Sequence, residues 1–438
     1  MKNSTSPISI PEIVDIIVSN LVNDFDFERQ LTWIERRRLS ACGLVSQDFY
    51  MASRRYLFAT ISLDVSDSGC PFSWSHIHKL HQILSSNPMI QRQIRHLMIN
   101  IEAEPIPAVP ETAVLDFSIK PSRFAALMNL VPSLRALTVC SKPCSLTYDN
   151  VVNLFRTLDV LRIQCPDLHK LCIGRIENVP LSFLSNWSNI TDLRTMYVTG
   201  HFNFMTDMPL ERFHSTVSSS FPNWNPFNFI KFNRLQYLGV VFTTDSVTGH
   251  QTLLRINNAL PALSHLQLVH YGSRFYVPEV GTVSAIPSLR SINFVEFIGN
   301  DNWPSSILNN IASFLEPKDS TPNDIESIDI LIFGACHLTS RALNYLSTWS
   351  KLDRIFTSKE YHKLTHVRIS IGPYESEEAA EFKPRGAFNT VLHRCHLLVL
   401  PLTCASQSIH VEFEAADSHF AVNDIQTTVP SYIVPLRC

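Results

Sequence analysis

The sequence predicts an α/β fold in two parts. Three short helices come first, followed by an irregular solenoid-like array of helices and strands, its parallel sheet curved and its helices outside. Three observations predict it. After residue 65 one apolar pattern recurs: an aliphatic, two residues, an aliphatic, one residue, and a further apolar residue. The first 65 residues instead carry helix-start signals and helical apolar spacing. The chain's 438 residues exceed the ~250–300 that one core supports, so it is two domains or an elongated repeat.

The copies are Ile94-Leu97-Ile99, Leu134-Leu137-Val139, Leu168-Leu171-Ile173, Leu193-Met196-Val198 and Leu235-Leu238-Val240. They continue as Leu263-Leu266-Leu268, Leu289-Ile292-Phe294, Ile325-Ile328-Ile330 and Leu364-Val367-Ile369. The alternating end of each fits a short strand with one face inward. In four copies a proline stands two residues earlier (Pro132, Pro166, Pro261, Pro287), where it ends a helix and starts the strand. Helices are expected over 123–130, 150–161, 251–260 and 341–348. Successive copies fall 25 to 42 residues apart, the extremes being Leu168 to Leu193 and Leu193 to Leu235.

Helix and strand alternating at this loose period resemble leucine-rich-repeat solenoids, with units longer than the usual ~20–29 residues and no Asn after the strand. An irregular α/β domain with a parallel sheet is the alternative. The repeat domain spans 66–415. Ile409-Val411-Phe413 is its last expected strand, and 416–438 form a closing cap or tail. In a solenoid the strands line the concave face. Candidates for contact with a substrate there are Arg135, His169, Arg194, Gln236, His265, Arg290, Ser327 and Thr365.

In the helical part, Ser9 and Glu12 have capping-box spacing, and Pro11 sits in the first turn. Ile10, Ile13, Val14, Ile17 and Leu21 share a face, with Ile16 and Val18 flanking it. The apolar arc is about 200°, against the ~100° that one core needs. Such a helix is buried on two sides. Three short helices cannot cover both, so part of it meets another chain. A polar stretch at 24–37 reads as an insert. Leu39, Leu44 and Val45 make a second apolar patch. Ser46 caps a third helix carrying Phe49, Tyr50, Tyr56 and Leu57.

Ile10-Pro11-Glu12-Ile13, then Leu44-Val45-Ser46-Gln47-Asp48-Phe49, then Arg55-Tyr56-Leu57-Phe58 follow one another in an order that resembles the F-box. This module hooks substrate receptors, including a large fungal set, onto the adaptor of a cullin-type ubiquitin ligase. The chain departs from the family in having Ile10-Pro11 for the usual Leu-Pro, Phe49 for the frequent Trp, and the insert. The resemblance implies an F-box domain over 1–65. In it Ile10, Pro11, Ile13, Ile16, Leu21, Leu39, Val45, Ser46 and Phe49 build the module and its adaptor-binding surface. It further implies a Skp-type adaptor and through it a cullin as partners, with the repeats holding an unknown protein substrate. The chain would then be the substrate-recognition subunit of an SCF-type ligase and no enzyme itself. Three alternatives stay open: a helical cap that only shields the first repeat, a repeat scaffold without a ligase, and an enzyme of irregular α/β fold.

Composition agrees with a binding protein. Charged residues are 17%, below the usual ~25%, while 45% are hydrophobic, which implies faces that need a partner. A net charge of −3 gives no reason to expect nucleic acid. The ten cysteines have no disulfide framework and read as reduced and buried. The first nine residues lack the apolar core of a signal peptide, and no apolar run approaches the ~20 residues of a membrane span. A cytoplasmic or nuclear chain without membrane contact is expected.

No Gly-rich phosphate loop, Gly-x-Ser-x-Gly, His-Glu-x-x-His or Cys-x-x-Cys occurs, so no catalytic site, metal or cofactor is expected. His76, His78 and His81 read as a polar helix surface, Cys140 and Cys144 as thiols, and His393, Cys395 and His396 as part of a helix. Glu375, Glu377, Glu378 and Glu381 read as a solvated edge. Arg36, Arg37, Arg38, Arg54 and Arg55 make the helical part locally basic, a feature that would speed association with an acidic surface.

Overall fold

The computed structural model describes residues 10–22, 31, 33–66, 71–102, 121–142, 146–180, 183–184, 186–196, 198, 206–217, 230–243, 260, 262–271, 286, 288–297, 305–317, 322–334, 346–373, 400–406 and 408–415. The chain divides into two compact units, Met1–Ile190 and Thr191–Cys438.

The first unit opens with α1 (Ile10–Asn20), α2 (Trp33–Cys42) and α3 (Gln47–Leu57). Then come β1 (Thr60–Ser66), α4 (Pro71–Ser86), α5 (Pro88–Gln91), β2 (His96–Glu102), α6 (Pro121–Met128), β3 (Ala136–Lys142), α7 (Tyr148–Gln164) and β4 (Lys170–Gly174). β1 to β4 pair in chain order, all parallel. α6 and α7 fall where the sequence expects helices. They pack side by side, with α4 against α6.

Among the described residues the second unit holds eight strands of five or more residues, parallel and in chain order: β5 (Asp192–Met196), β6 (Arg212–Val217), β7 (Tyr237–Thr243), β8 (His265–Tyr271), β9 (Ser291–Phe297), β10 (Ser327–Gly334), β11 (His366–Pro373) and β12 (His410–Ala415); Thr206–Asp207 and Ile230–Lys231 form a separate two-residue pair. Helices α8 (Ser305–Leu315), α9 (Leu346–Phe356) and α10 (Pro401–Ala405) belong to its later turns. The helix expected at 251–260 lies outside the described residues apart from Leu260. The one at 341–348 is described only from Leu346, where α9 begins.

Register explains the recurring pattern. In the first unit Leu97, Leu137 and Leu171 are rung partners, as are Ile99, Val139 and Ile173. In the second, Leu238, Leu266, Ile292, Ile328 and Val367 form one row, and Val240, Leu268, Phe294, Ile330 and Ile369 another. All are buried. Each such side chain contributes roughly 1.5–3 kcal/mol, and period-2 alternation sends the residues between them to the opposite face.

Most turns start their strands alike. Two consecutive amides share one carbonyl of the preceding turn: Arg95 and His96 on Ala59, Arg135 and Ala136 on Arg95, His169 and Lys170 on Arg135. In the second unit the same pairing runs from Glu211 and Arg212 on Thr191 to Thr365 and His366 on Glu326. Just before it, a tight turn closes Leu134 N on Val131 O and Leu168 N on Cys165 O, with Pro132 and Pro166 at the second position, which proline's fixed φ favours. Pro261 and Pro287 lie outside the described residues.

Two strands escape the aliphatic pattern. β6 fills the interval between Leu193 and Leu235, so the longest expected unit is in fact two. Its copy reads Leu210-Phe213-Ser215. β5 is three residues out of the expected register: the turn residue is Ile190, whose amide bonds Trp187 O, and the copy is Ile190-Leu193-Thr195. The reason is chemical. Thr195 and Ser215 replace aliphatics at a buried position and satisfy each other, Thr195 Oγ1 donating to Ser215 Oγ at 3.2 Å.

The polar stretch at 24–37 also ends sooner than expected. Residues 33–37 are the first half of α2, because Leu31 and Leu39 both anchor in the helical core. Among the described residues no helix is long and apolar enough to cross a membrane.

Candidate functional site

The helical module has one dry side and one bare side. Val14, Val18 and Val22, four residues apart, meet Leu31, Leu39 and Ala52 in its core, with Cys42, Phe49, Tyr56 and Leu57 packed around them. An Asp15–Arg55 ion pair ties α1 to α3. Ser46 caps α3 in extended conformation, its hydroxyl accepting from the Phe49 amide at 3.4 Å. The opposite stripe of α1 carries Ile13, Ile16 and Ile17, about half exposed. In the tight turn between α2 and α3, Leu44 is 88% and Val45 69% exposed. Tyr50 and Met51 on α3 are also uncovered.

Of the nine residues named for adaptor contact, Pro11, Ile13, Ile16, Val45 and Ser46 are exposed, and Leu21 and Phe49 are half-buried. Leu39 is fully buried; it can build the module but cannot touch a partner. The Ile10 side chain lies outside the described residues. Ile17 and Leu44 were missing from that set, though the helical spacing of Ile13, Ile16 and Ile17 marks the stripe.

The outward strand face of the second unit is polar and aromatic. Tyr237 is its hub. The Arg212 guanidinium lies 4.7 Å over its ring, the His214 ring packs at 4.8 Å, and its hydroxyl donates to Gln267 Oε1 at 2.8 Å. Gly239 makes this possible: a Cβ there would sit 2.4 Å from His214 Nδ1. Further along, Ser327 Oγ donates to Ser291 Oγ at 2.9 Å. In the first unit the same face holds Asn100, whose amide donates to Ser62 and Asp64, and His96 bonded to Thr138.

The structure does not gather the substrate-face candidates into one row. Arg135, His169, Gln236, Arg290 and Thr365 precede their strands by one residue; all but the half-buried His169 are exposed. His265 and Ser327 open their strands one place later. Arg194 is a correction. The three-residue register shift of β5 puts it mid-strand, 5% exposed, with Nη2 and Nε held by both Asp192 oxygens at 3.1 and 3.3 Å. It is not available to a substrate. Tyr237, His214 and Gln267 were missed because most candidates stand one residue after the first apolar position of a copy, whereas Tyr237 stands just before the second and Gln267 just after it, and His214 belongs to β6, which has no aliphatic copy.

The weaker clusters resolve into structure where they are described. His78 and His81 contact Gln82 and Ser85 along α4. Cys140 is buried and not disulfide-bonded. Burial pushes the Cys165 thiol up to about 11, so it stays protonated and unreactive. Cys144, residues 374–399 with their acidic stretch and His393, Cys395 and His396, and the tail from 416 lie outside the described residues, as do Ser9 and the side chain of His76. An open groove beside the end of α9 is lined by Ser358, Tyr361, His362 and Ser406 among others. The Tyr361 hydroxyl is committed to Leu315 O at 2.6 Å, and burial drives its titration far upward.

No protein-family model and no curated protein matches this chain. Among solved structures, one from Bacteroides fragilis aligns over 80% of this chain and 84% of its own, at 11% identity and TM-score 0.32. A likeness that loose carries no argument.

Proposed function

We propose that the chain is the substrate-recognition subunit of an SCF-type ubiquitin ligase. Its helical module is the F-box that docks on a Skp-type adaptor, and through it a cullin; its repeat-like turns hold a protein substrate. The observation that carries this reading is the bare stripe Ile13, Ile16 and Ile17 with Leu44 and Val45 on a module whose other side is already packed. Covering these five side chains would contribute about 1 kcal/mol each, since each is about half exposed or more. Soluble modules of this size rarely leave such a surface uncovered. The exposed Arg36, Arg37 and Arg38 on α2 would steer an acidic partner without adding much affinity. The mechanism is proximity: the receptor supplies effective concentration and orientation, and a ubiquitin-loaded enzyme elsewhere in the complex transfers the ubiquitin.

The test is co-expression of the full chain with the adaptor from the same host, followed by gel filtration, with Ile13→Asp/Ile16→Asp as control. A complex that the control loses supports the proposal. A folded chain that ignores the adaptor overturns it and leaves a protein-binding scaffold without a ligase.

A further inference from the structure

Three side chains far apart in sequence meet on the last two strands. His366 opens β11 and His410 opens β12, and they are direct partners in the parallel ladder. Glu412 stands two residues beyond His410, so it shares the same face. Its carboxylate faces both rings. Oε1 lies 3.1 Å from His410 Nε2 and Oε2 lies 3.8 Å from His366 Nε2. The ring centroids are 5.7 Å apart, and the three donor atoms all lie within 4.8 Å of one another.

A hydrogen bond accounts for the His410–Glu412 contact alone. His366 Nε2 lies 3.8 Å from the other carboxylate oxygen, beyond hydrogen-bond range, so a hydrogen bond does not account for the second imidazole. A metal ion accounts for both. Zinc bonds nitrogen and oxygen at about 2.0–2.2 Å, so donors around a tetrahedral ion stand roughly 3.3 Å apart. The two observed separations, each to a different carboxylate oxygen, bracket that value. Two imidazoles with one carboxylate suit zinc or a similar transition metal. An all-oxygen set would suit magnesium or calcium. His366 is half-buried and the other two are exposed, so an ion can enter, and a position remains for water or a donor from another molecule.

We infer that His366, His410 and Glu412 bind a divalent transition-metal ion, zinc first. The ion clips β12, the last described strand of its sheet, to β11. This site does not depend on the ligase reading. Strand pairing creates it, so no local motif announces it: the two histidines lie in separate turns.

The test uses the purified full chain, stripped with chelator and titrated with zinc chloride by calorimetry, beside His366→Gln, His410→Gln and Glu412→Gln. All three positions are at least partly exposed, and circular dichroism checks that each variant folds. One zinc ion per chain is expected, with affinity falling at least about tenfold in each variant, the loss typical even of an outer partner. Zinc should also slow amide exchange across 410–415 in the native chain and not in the variants. Cobalt replaces zinc as a spectroscopic probe and should show no thiolate charge-transfer band. Uptake that ignores the three substitutions, a thiolate band, or no uptake at all overturns the site.

Discussion

At Gly239 one missing methyl holds a side-chain stack together. His214 is buried and its imidazole fills the space that a Cβ would need, which lets it reach the Tyr237 ring. Gly239→Ala should therefore cost about 1–3 kcal/mol by overpacking. Urea unfolding would measure it, and His214→Ala in the same chain should recover part of the loss, as expected of residues in direct contact. A second residue-scale case is the inward-facing pair His270 and Glu296, 3.3 Å apart and both buried. Burial raises the Glu296 carboxyl above its ordinary range, and His270 draws it back only in part. Folding thus favours the protonated acid. That contribution is full below the ordinary value of about 4.3 and is lost as pH rises through the raised folded value. Glu296→Gln stays neutral throughout. It should match the native chain near pH 4 and be the more stable of the two at neutral pH, which thermal melts at the two pH values would check.

Among the elements, α1 separates fold from docking by placing its two apolar stripes on different sides of the helix. Val14, Val18 and Val22 face the module core, and Ile13, Ile16 and Ile17 do not. Val18→Asp would bury an unpaired charge and should unfold the module. Ile13→Asp/Ile16→Asp should leave stability within about 0.5 kcal/mol, as exposed positions do. Circular dichroism distinguishes the pair before any binding assay. α9 and α10 show a different device. Asp353, at 2% exposure, accepts from the amides of Leu402 and Thr403 and from the Thr403 hydroxyl, at 2.9, 2.8 and 2.6 Å. It caps a helix that begins far along the chain, where the local cap residue, Leu400, offers no side-chain acceptor. Asp353→Ala should cost about 3 kcal/mol, because it strands donors that are buried or partly buried.

At the scale of the whole molecule, the long parallel strands of each unit pair with their neighbours in chain order, so within a unit stability is a sum over adjacent turns. A defect should stay local. In Asp353→Ala, hydrogen exchange should quicken over 401–415 and remain unchanged over 237–243 in the same unit. Loss of protection in both places at once would mean that the unit unfolds as one cooperative body.

How much of this was legible depends on what each feature rests on. The α/β class, most strands and the cap at Ser46 follow from apolar spacing and local capping, which are properties of neighbouring residues. So does the two-sided apolar character of α1. The hidden strand β6, the true register of β5 and the burial of Arg194 were not legible. Thr195 and Ser215 are tolerated inside only because each satisfies the other across strands. Leu39 reads the same on paper whether it faces the core or a partner. The meeting of His366, His410 and Glu412 is likewise invisible before pairing. By itself the sequence determined periodicity, and with it which segments become helix or strand. Tertiary structure alone decided register, and register decides which side chains are sealed inside and which are left together on the surface. The physical reason is that a residue's face is set by the hydrogen-bonded rung it occupies, and that rung is chosen by a partner strand tens of residues away.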